Sequence, residues 1–246
     1  MAAGTGLGEG ELRPCPAESR CARHGAALAA RCVAGALAWD NHRWHQVVMA
    51  QEIIELGEAQ RAAAVATLAA AFADDPALTW IIPDRSARMR RLPLMFDWLF
   101  DDHLARGLIL GTADCAVVTM WRPPGQVHYR SPLYPRHLLH LAQIFGTNLL
   151  RAAKVGDAID AHVPPGERLL YLRYAGVRPQ MQGKGLGGMA IRAGLARAAE
   201  LGVPSCLETA TPDNVGLYQR LGYGIVREWD VAGRDGPHFW TMATAA

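Results

Sequence analysis

The segment Val177-Arg178-Pro179-Gln180-Met181-Gln182-Gly183-Lys184-Gly185-Leu186-Gly187-Gly188 sets three glycines in five residues between an apolar run and an amphipathic one. A turn of this composition lets a ligand approach the backbone closely. It also leaves several amide N–H groups aimed at one spot at the positive end of the following helix, which suits a pyrophosphate. A Walker phosphate loop would need Gly at position 178 and Ser or Thr at 185, where the chain has Arg178 and Gly185. The dinucleotide fingerprint G-x-G-x-x-G is met by Gly183 to Gly188, with Glu208 20 residues further on. Against it, Arg178 to Gln182, including a proline, separate the strand from the first glycine. The 58 residues after Gly188 are also too few for a complete doubly wound sheet. An NAD-dependent oxidoreductase stays an alternative reading.

A third template fits better. Gln182-x-x-Gly185-x-Gly187 after a strand resembles the coenzyme-binding motif of the GNAT superfamily of acyl-CoA-dependent N-acyltransferases. Downstream, Asn214 and Tyr218 stand four apart on one helix and are followed by Gly222 and Tyr223, similar to that family's second motif. Within the superfamily the resemblance is to the puromycin N-acetyltransferase-like branch, through Val177 to Gly187, Ala198 to Thr209, Tyr218 to Tyr223 and Ala69 to Asp74. It covers most of Met49 to Ala246 and is weakest from Pro123 to Pro165.

The resemblance implies an α/β fold with a mixed, mostly antiparallel central sheet, helices on both faces, and a splay where two parallel strands diverge. It implies acetyl-CoA as co-substrate, no metal, and direct acetyl transfer to a primary amine of a small molecule in a ternary complex. The coenzyme would meet Val177, Gln182, Gly183, Lys184, Gly185, Leu186, Gly187, Gly188 and Asn214. A backbone N–H near Ala175 to Val177 would polarise the thioester carbonyl. Tyr218 would protonate the departing thiolate, since a phenol of pKa about 10 still holds its proton at neutral pH. Glu208 would take the amine's proton if burial raises its pKa.

Each residue also has an ordinary role. The glycines can serve a tight turn, Lys184 can face only water, and Asn214 can be a first-turn residue. Tyr218 can be a core aromatic, and Glu208 half of an ion pair. A catalytically silent coenzyme-binding regulatory domain is a further alternative. His137 and His140 are three apart but have no third ligand at recognisable spacing, so no metal site is expected. Trp80, Trp98 and Trp121 read as core or as acceptor wall, and Asp74, Asp75 and Asp84 could attract a cationic amine.

The elements that must position these groups follow from periodicity. Glu52 to Leu56 reads as a strand, and Val65, Leu68, Ala69 and Phe72 have helical spacing stopped by Asp74-Asp75-Pro76. Ser86 to Arg106 reads as one or two helices, with Pro93 opening the second or kinking the first, and Gly107 as the end. Leu108 to Thr112 and Ala116 to Trp121 form a hairpin, and Pro135 to Lys154 reads as a helix. Leu169 to Val177 has the continuous apolar character of a strand buried on both faces. A helix from Gly185 to Leu201, a strand from Ser205 to Thr209, a helix from Asp213 to Leu221, and a strand pair at Ile225 to Val231 and Phe239 to Ala243 complete the chain.

Residues 1–48 lack a clean period and are expected to be a poorly ordered extension before an acyltransferase domain at 49–246. The 25 Lys and Arg nearly balance the 23 Asp and Glu, which argues against nucleic acid or an anionic membrane as partner. The apolar stretch Ala26 to Trp39 is broken by Arg31 and is too short to span a bilayer. Five cysteines at irregular spacing point to reduced thiols in a cytoplasmic protein. The oligomeric state is not legible.

Overall fold

The computed structural model describes residues 52–128, 135–164, 168–231 and 235–245, all within the compact unit Gln51–Ala246. The expected N-terminal extension lies outside the described residues.

One sheet of seven strands organises this unit: β1 (Ile53–Glu55), β2 (Leu108–Thr112), β3 (Val117–Arg122), β4 (Leu170–Val177), β5 (Ser205–Thr209), β6 (Tyr223–Asp230) and β7 (His238–Thr244). They lie side by side in the order β1-β2-β3-β4-β5-β7-β6. Every neighbouring pair is antiparallel except β4 and β5. That parallel pair holds together only from Leu170 opposite Ser205 to Leu172 opposite Leu207. Beyond Leu172, β4 continues to Val177 alongside β3 and β5 continues to Thr209 alongside β7, so a gap opens between them. The mixed sheet with one splayed parallel pair is the expected fold class. A doubly wound dinucleotide sheet would need mostly parallel strands, and this sheet has one parallel pair.

Seven helices among the described residues cover the two faces. Helices α1 (Arg61–Ala71), α2 (Pro76–Ile81), α3 (Arg85–Arg106), α4 (Pro135–Phe145) and α5 (Leu149–His162) contribute to a core that includes Leu68, Phe96, Phe100, Met120 and Ile144. Helices α6 (Leu186–Leu201) and α7 (Pro212–Arg220) share a second core with Trp121, Leu170, Leu207 and Met242. Strand alternation sends neighbours such as Met120 and Trp121 to different cores. Trp121, fully buried, lies so close under α6 that a Cβ on Gly194 would sit 2.0 Å from its indole. The glycine lets the helix reach the sheet.

Three expectations change in detail. Asp75 does more than end α1: its carboxylate accepts the Leu78 N–H at 3.0 Å and, with Pro76 at the first helical position, it opens α2. Residues 85–106 are one helix that runs through Pro93. Its buried stripe of Leu92, Met95, Phe96, Leu99 and Phe100 offsets the one backbone bond that proline removes. The helix expected over Pro135 to Lys154 is two, separated by a short 3₁₀ turn at Gly146–Asn148, and the second runs on to His162.

Candidate active site

The splay between β4 and β5 opens into a cavity of about 510 Å³. Its floor and walls bring together Arg173, Tyr174 and Ala175 from β4, Glu208 and Thr209 from β5, and Asn214 and Tyr218 from α7. Three of the residues singled out in the sequence, Glu208, Asn214 and Tyr218, therefore face one space.

Register shows which backbone groups face the gap. Val177 lies opposite Val117, and the Arg178 N–H bonds to the Ala116 carbonyl at 2.8 Å. That makes Val177 and, two residues back, Ala175 members of non-hydrogen-bonded pairs with β3. Their N–H groups point away from β3, toward the side where β5 has withdrawn. The Val177 carbonyl on that side accepts the Gln182 side-chain amide at 3.2 Å, which ties the turn to the strand end.

The turn itself is built as its composition dictates. A 3₁₀ turn at Pro179–Met181 leads into Gly183 and Gly185, whose φ values of 75° and 83° suit glycine. Gly185 caps α6, and no side chain accepts from the first helical amides. The N–H groups of Leu186, Gly187 and Gly188 have no carbonyl four residues back within the helix. A Cβ at Gly183 or Gly185 would meet no atom within 4 Å, so the space above both is open. Gln182, Gly183, Lys184 and Gly185 are exposed, whereas Leu186 and Gly188 are buried in the helix packing. Lys184 reaches the Met181 sulfur at 3.6 Å. The turn lies at the surface and its residues do not line the cavity; β4 runs from Ala175, which lines the cavity, through Val177 to the turn.

The protonation of the cavity groups is set by burial. Both carboxylate oxygens of Glu208 are shielded from solvent and make no hydrogen bond of normal geometry. No Lys, Arg or His among the described residues pairs with it. Burial pushes the Glu208 carboxyl up to about 8; the nearby Tyr171 and Thr241 hydroxyls favour the anion, and Asp160 adds to the rise. Tyr218, 7 % exposed, has its phenol pushed up to about 12 by burial and then by the charge of Asp75. Tyr171 is raised well above its ordinary value by burial, with the Glu208 charge adding to it.

Other candidates separate. Asp75 lines the cavity. Asp84 instead accepts the Ala87 N–H at 2.6 Å as the cap of α3, and Asp74 meets Arg85 and Arg88 at 3.4 Å each. Those two carboxylates hold structure and do not face the cavity. Of the tryptophans, Trp98 lines the cavity and Trp121 is core. Trp80 donates its indole N–H to the Asp235 carbonyl at 2.7 Å. His140 belongs to no metal-binding cluster among the described residues, and the His137 side chain lies outside them. No helix among the described residues is long and apolar enough to cross a membrane. Sequence reasoning missed the wall made by α2, α4 and α5, including Leu78, Phe145, Leu149 and Ile159. The only local signal is the apolar spacing Ala152, Val155, Ile159 on α5.

Residues 146–223 match the model of the Acetyltransferase (GNAT) family, a stretch that holds β4, the glycine turn, α6, β5 and α7. The whole unit superposes on a Corynebacterium glutamicum protein described as histone acetyltransferase HPA2 and related acetyltransferase. Identity is 24%, TM-score 0.61, and the alignment covers 80% of this chain and 97% of the other. The fold is that of the GNAT acetyltransferases. Arylalkylamine N-acetyltransferase 2 from Aedes aegypti aligns at 13% identity and TM-score 0.55 over 80% and 99% of the two chains. The C-terminal condensation domain of Ebony, in complex with beta-alanyl-dopamine, aligns at 12% and 0.54 over the same shares. Acetyl-CoA is the co-substrate of the GNAT enzymes, and in this GNAT fold the matched segment carries every residue expected to meet it. The walls contributed by α2, α3 and α4 lie outside that segment.

Proposed function

We propose that the protein transfers an acetyl group from acetyl-CoA directly to a primary amine of a small molecule. One observation carries this reading: the Glu208 carboxylate, its oxygens shielded from solvent and pushed up to about 8 by burial, faces the same cavity as Tyr218.

The exposed glycine turn and the free amides at the start of α6 suit the coenzyme pyrophosphate. From there the pantetheine arm would follow β4 past Val177 and Ala175 into the splay, with Asn214 beside it. The Ala175 N–H, turned from β3, would donate to the thioester oxygen as negative charge develops on it. An amine enters as its ammonium form at neutral pH and must lose a proton before attack. Glu208, half ionised near pH 8, is matched to accept it. The free amine forms the new C–N bond, the tetrahedral centre collapses with cleavage of the C–S bond, and the Tyr218 hydroxyl gives its proton to the thiolate. No covalent enzyme intermediate is required. Burial favours the neutral phenol, so Tyr218 still holds its proton when the thiolate forms. The likeness of the sequence to the puromycin N-acetyltransferase-like branch supports a small-molecule acceptor.

A thiol-release assay with acetyl-CoA and a library of amines, including aminonucleosides and amino-acid amides, tests the reaction. Amine-dependent release of thiol with an acetylated product is expected. Binding of acetyl-CoA with no amine accepted would leave a silent coenzyme-binding domain.

A further inference from the structure

We propose that Thr241, held by Trp229, is a positioning residue for Glu208: its hydroxyl donates a hydrogen bond to the carboxylate in the ionised form that accepts the amine's proton. This inference rests on the acetyl-transfer reading and adds a residue to it.

Glu208 on β5 and Thr241 on β7 stand directly opposite each other in an antiparallel ladder, so their side chains lie side by side on one face of the sheet. Thr241 is fully buried, and its hydroxyl oxygen accepts the Trp229 indole N–H at 2.9 Å. An indole nitrogen can only donate. The direction of that bond is therefore fixed, and the Thr241 hydroxyl keeps its own proton for a second partner. The indole is held in turn. It is stacked between His162 of α5 at 4.1 Å and Phe239 of β7 at 4.6 Å, with rings 6° and 7° from parallel. No hydrogen bond of normal geometry reaches the Glu208 oxygens as they stand; a turn of the carboxyl toward Thr241 completes the bond once the group is charged. Phe239 lines the cavity and Thr241 does not, so Thr241 acts through Glu208 and not on the acceptor.

The ionisable groups around Glu208 come from several elements. On β4 the Tyr171 hydroxyl favours its anion and Arg173 acts on Tyr171, whereas Asp160 of α5 opposes the anion. Cys206 lies two residues back on β5. Asp75 of α2, Asp102 of α3, Asp157 of α5 and Tyr218 of α7 line the same cavity. All of them stay when Thr241 alone is changed, so any change in Glu208 reports the lost hydroxyl. With burial and Asp160 working against the charge and Tyr171 supplying one donor, the second donor on β7 sets how much of Glu208 is ionised near neutral pH.

Carbon-13 NMR of the glutamate side-chain carboxyls of the full chain, followed against pH, tests this, with the Glu208 signal assigned by its loss in Glu208→Gln. The parent midpoint should lie at about 8. Thr241→Val should move it up by about one pH unit, the worth of one hydrogen bond to a charge, and Thr241→Ser should keep the parent value. Thr241→Val combined with Trp229→Phe should show the same rise, because it removes both bonding partners and leaves no buried donor orphaned. The acid limb of turnover with acetyl-CoA and alaninamide should follow the carboxyl, so that Thr241→Val loses about tenfold near pH 7 and regains most of its rate in base. An unmoved midpoint in both valine variants would overturn this inference and leave the acetyl-transfer reading intact. A midpoint that rises without the acid limb following it would remove Glu208 as the base, and with it the role of Thr241.

Discussion

Glu208 owes its chemistry to its neighbours on the sheet. Placed on β5 directly opposite Thr241, it has both oxygens out of water, and that burial makes the folded protein hold its proton up to about pH 8. The unfolded chain releases the same proton in the ordinary carboxylate range. Between those two values the native state binds more protons than the unfolded one, so this group makes stability fall as pH rises through the window. Glu208→Gln keeps the shape without the charge. The variant should lack that fall in Tm between pH 5 and 8 and should lose turnover by roughly 10² to 10⁴, the range for a missing general base. Thermal melts across pH and steady-state rates at pH 8 check both halves. Parental turnover in this variant would place the base elsewhere.

Close approach of elements depends on single residues whose types can be read in the sequence but whose neighbours cannot. Gly194 is one, because α6 meets the sheet across the Trp121 indole and a Cβ there would overlap the ring. Gly194→Ala should cost about 1–3 kcal/mol by overpacking, measured by denaturant unfolding, and a change below about 0.5 kcal/mol would mean that the indole moves aside freely. The glycine turn and the helices flanking β5 were legible because their demands, positive φ and an apolar stripe, are local. The break at Gly146–Asn148 was not, since the apolar pattern continues through it and the 3₁₀ turn interrupts only the backbone. In the sequence Asp75 reads as part of a helix stop, and both Asp75 and Asp84 as acids that could attract a cationic amine; in the fold each caps a helix. Only the fold sends Asp75 into the cavity. The acceptor wall was illegible for the same reason: Leu78, Phe145, Ile159 and Phe239 are far apart in the chain and meet through tertiary packing.

At the scale of the whole unit, function follows from one departure from regularity. A seven-strand sheet with a single parallel pair lets that pair separate after three residues. The gap exposes backbone donors on β4 and the shielded carboxylate of Glu208 on β5, while the turn at the far end of β4 leads into the first amides of α6. The central claim is that acetyl-CoA spans these two places. Gly185→Asn tests it most directly, because asparagine tolerates positive φ and a Cβ at this position would meet no protein atom within 4 Å. A loss of affinity then reports contact with the ligand and not damage to the chain. In calorimetric titrations with acetyl-CoA, the parent should bind and the variant should bind about tenfold or more weakly, with an unchanged Tm. Equal affinity in the two proteins, or no binding by the parent, would contradict the account.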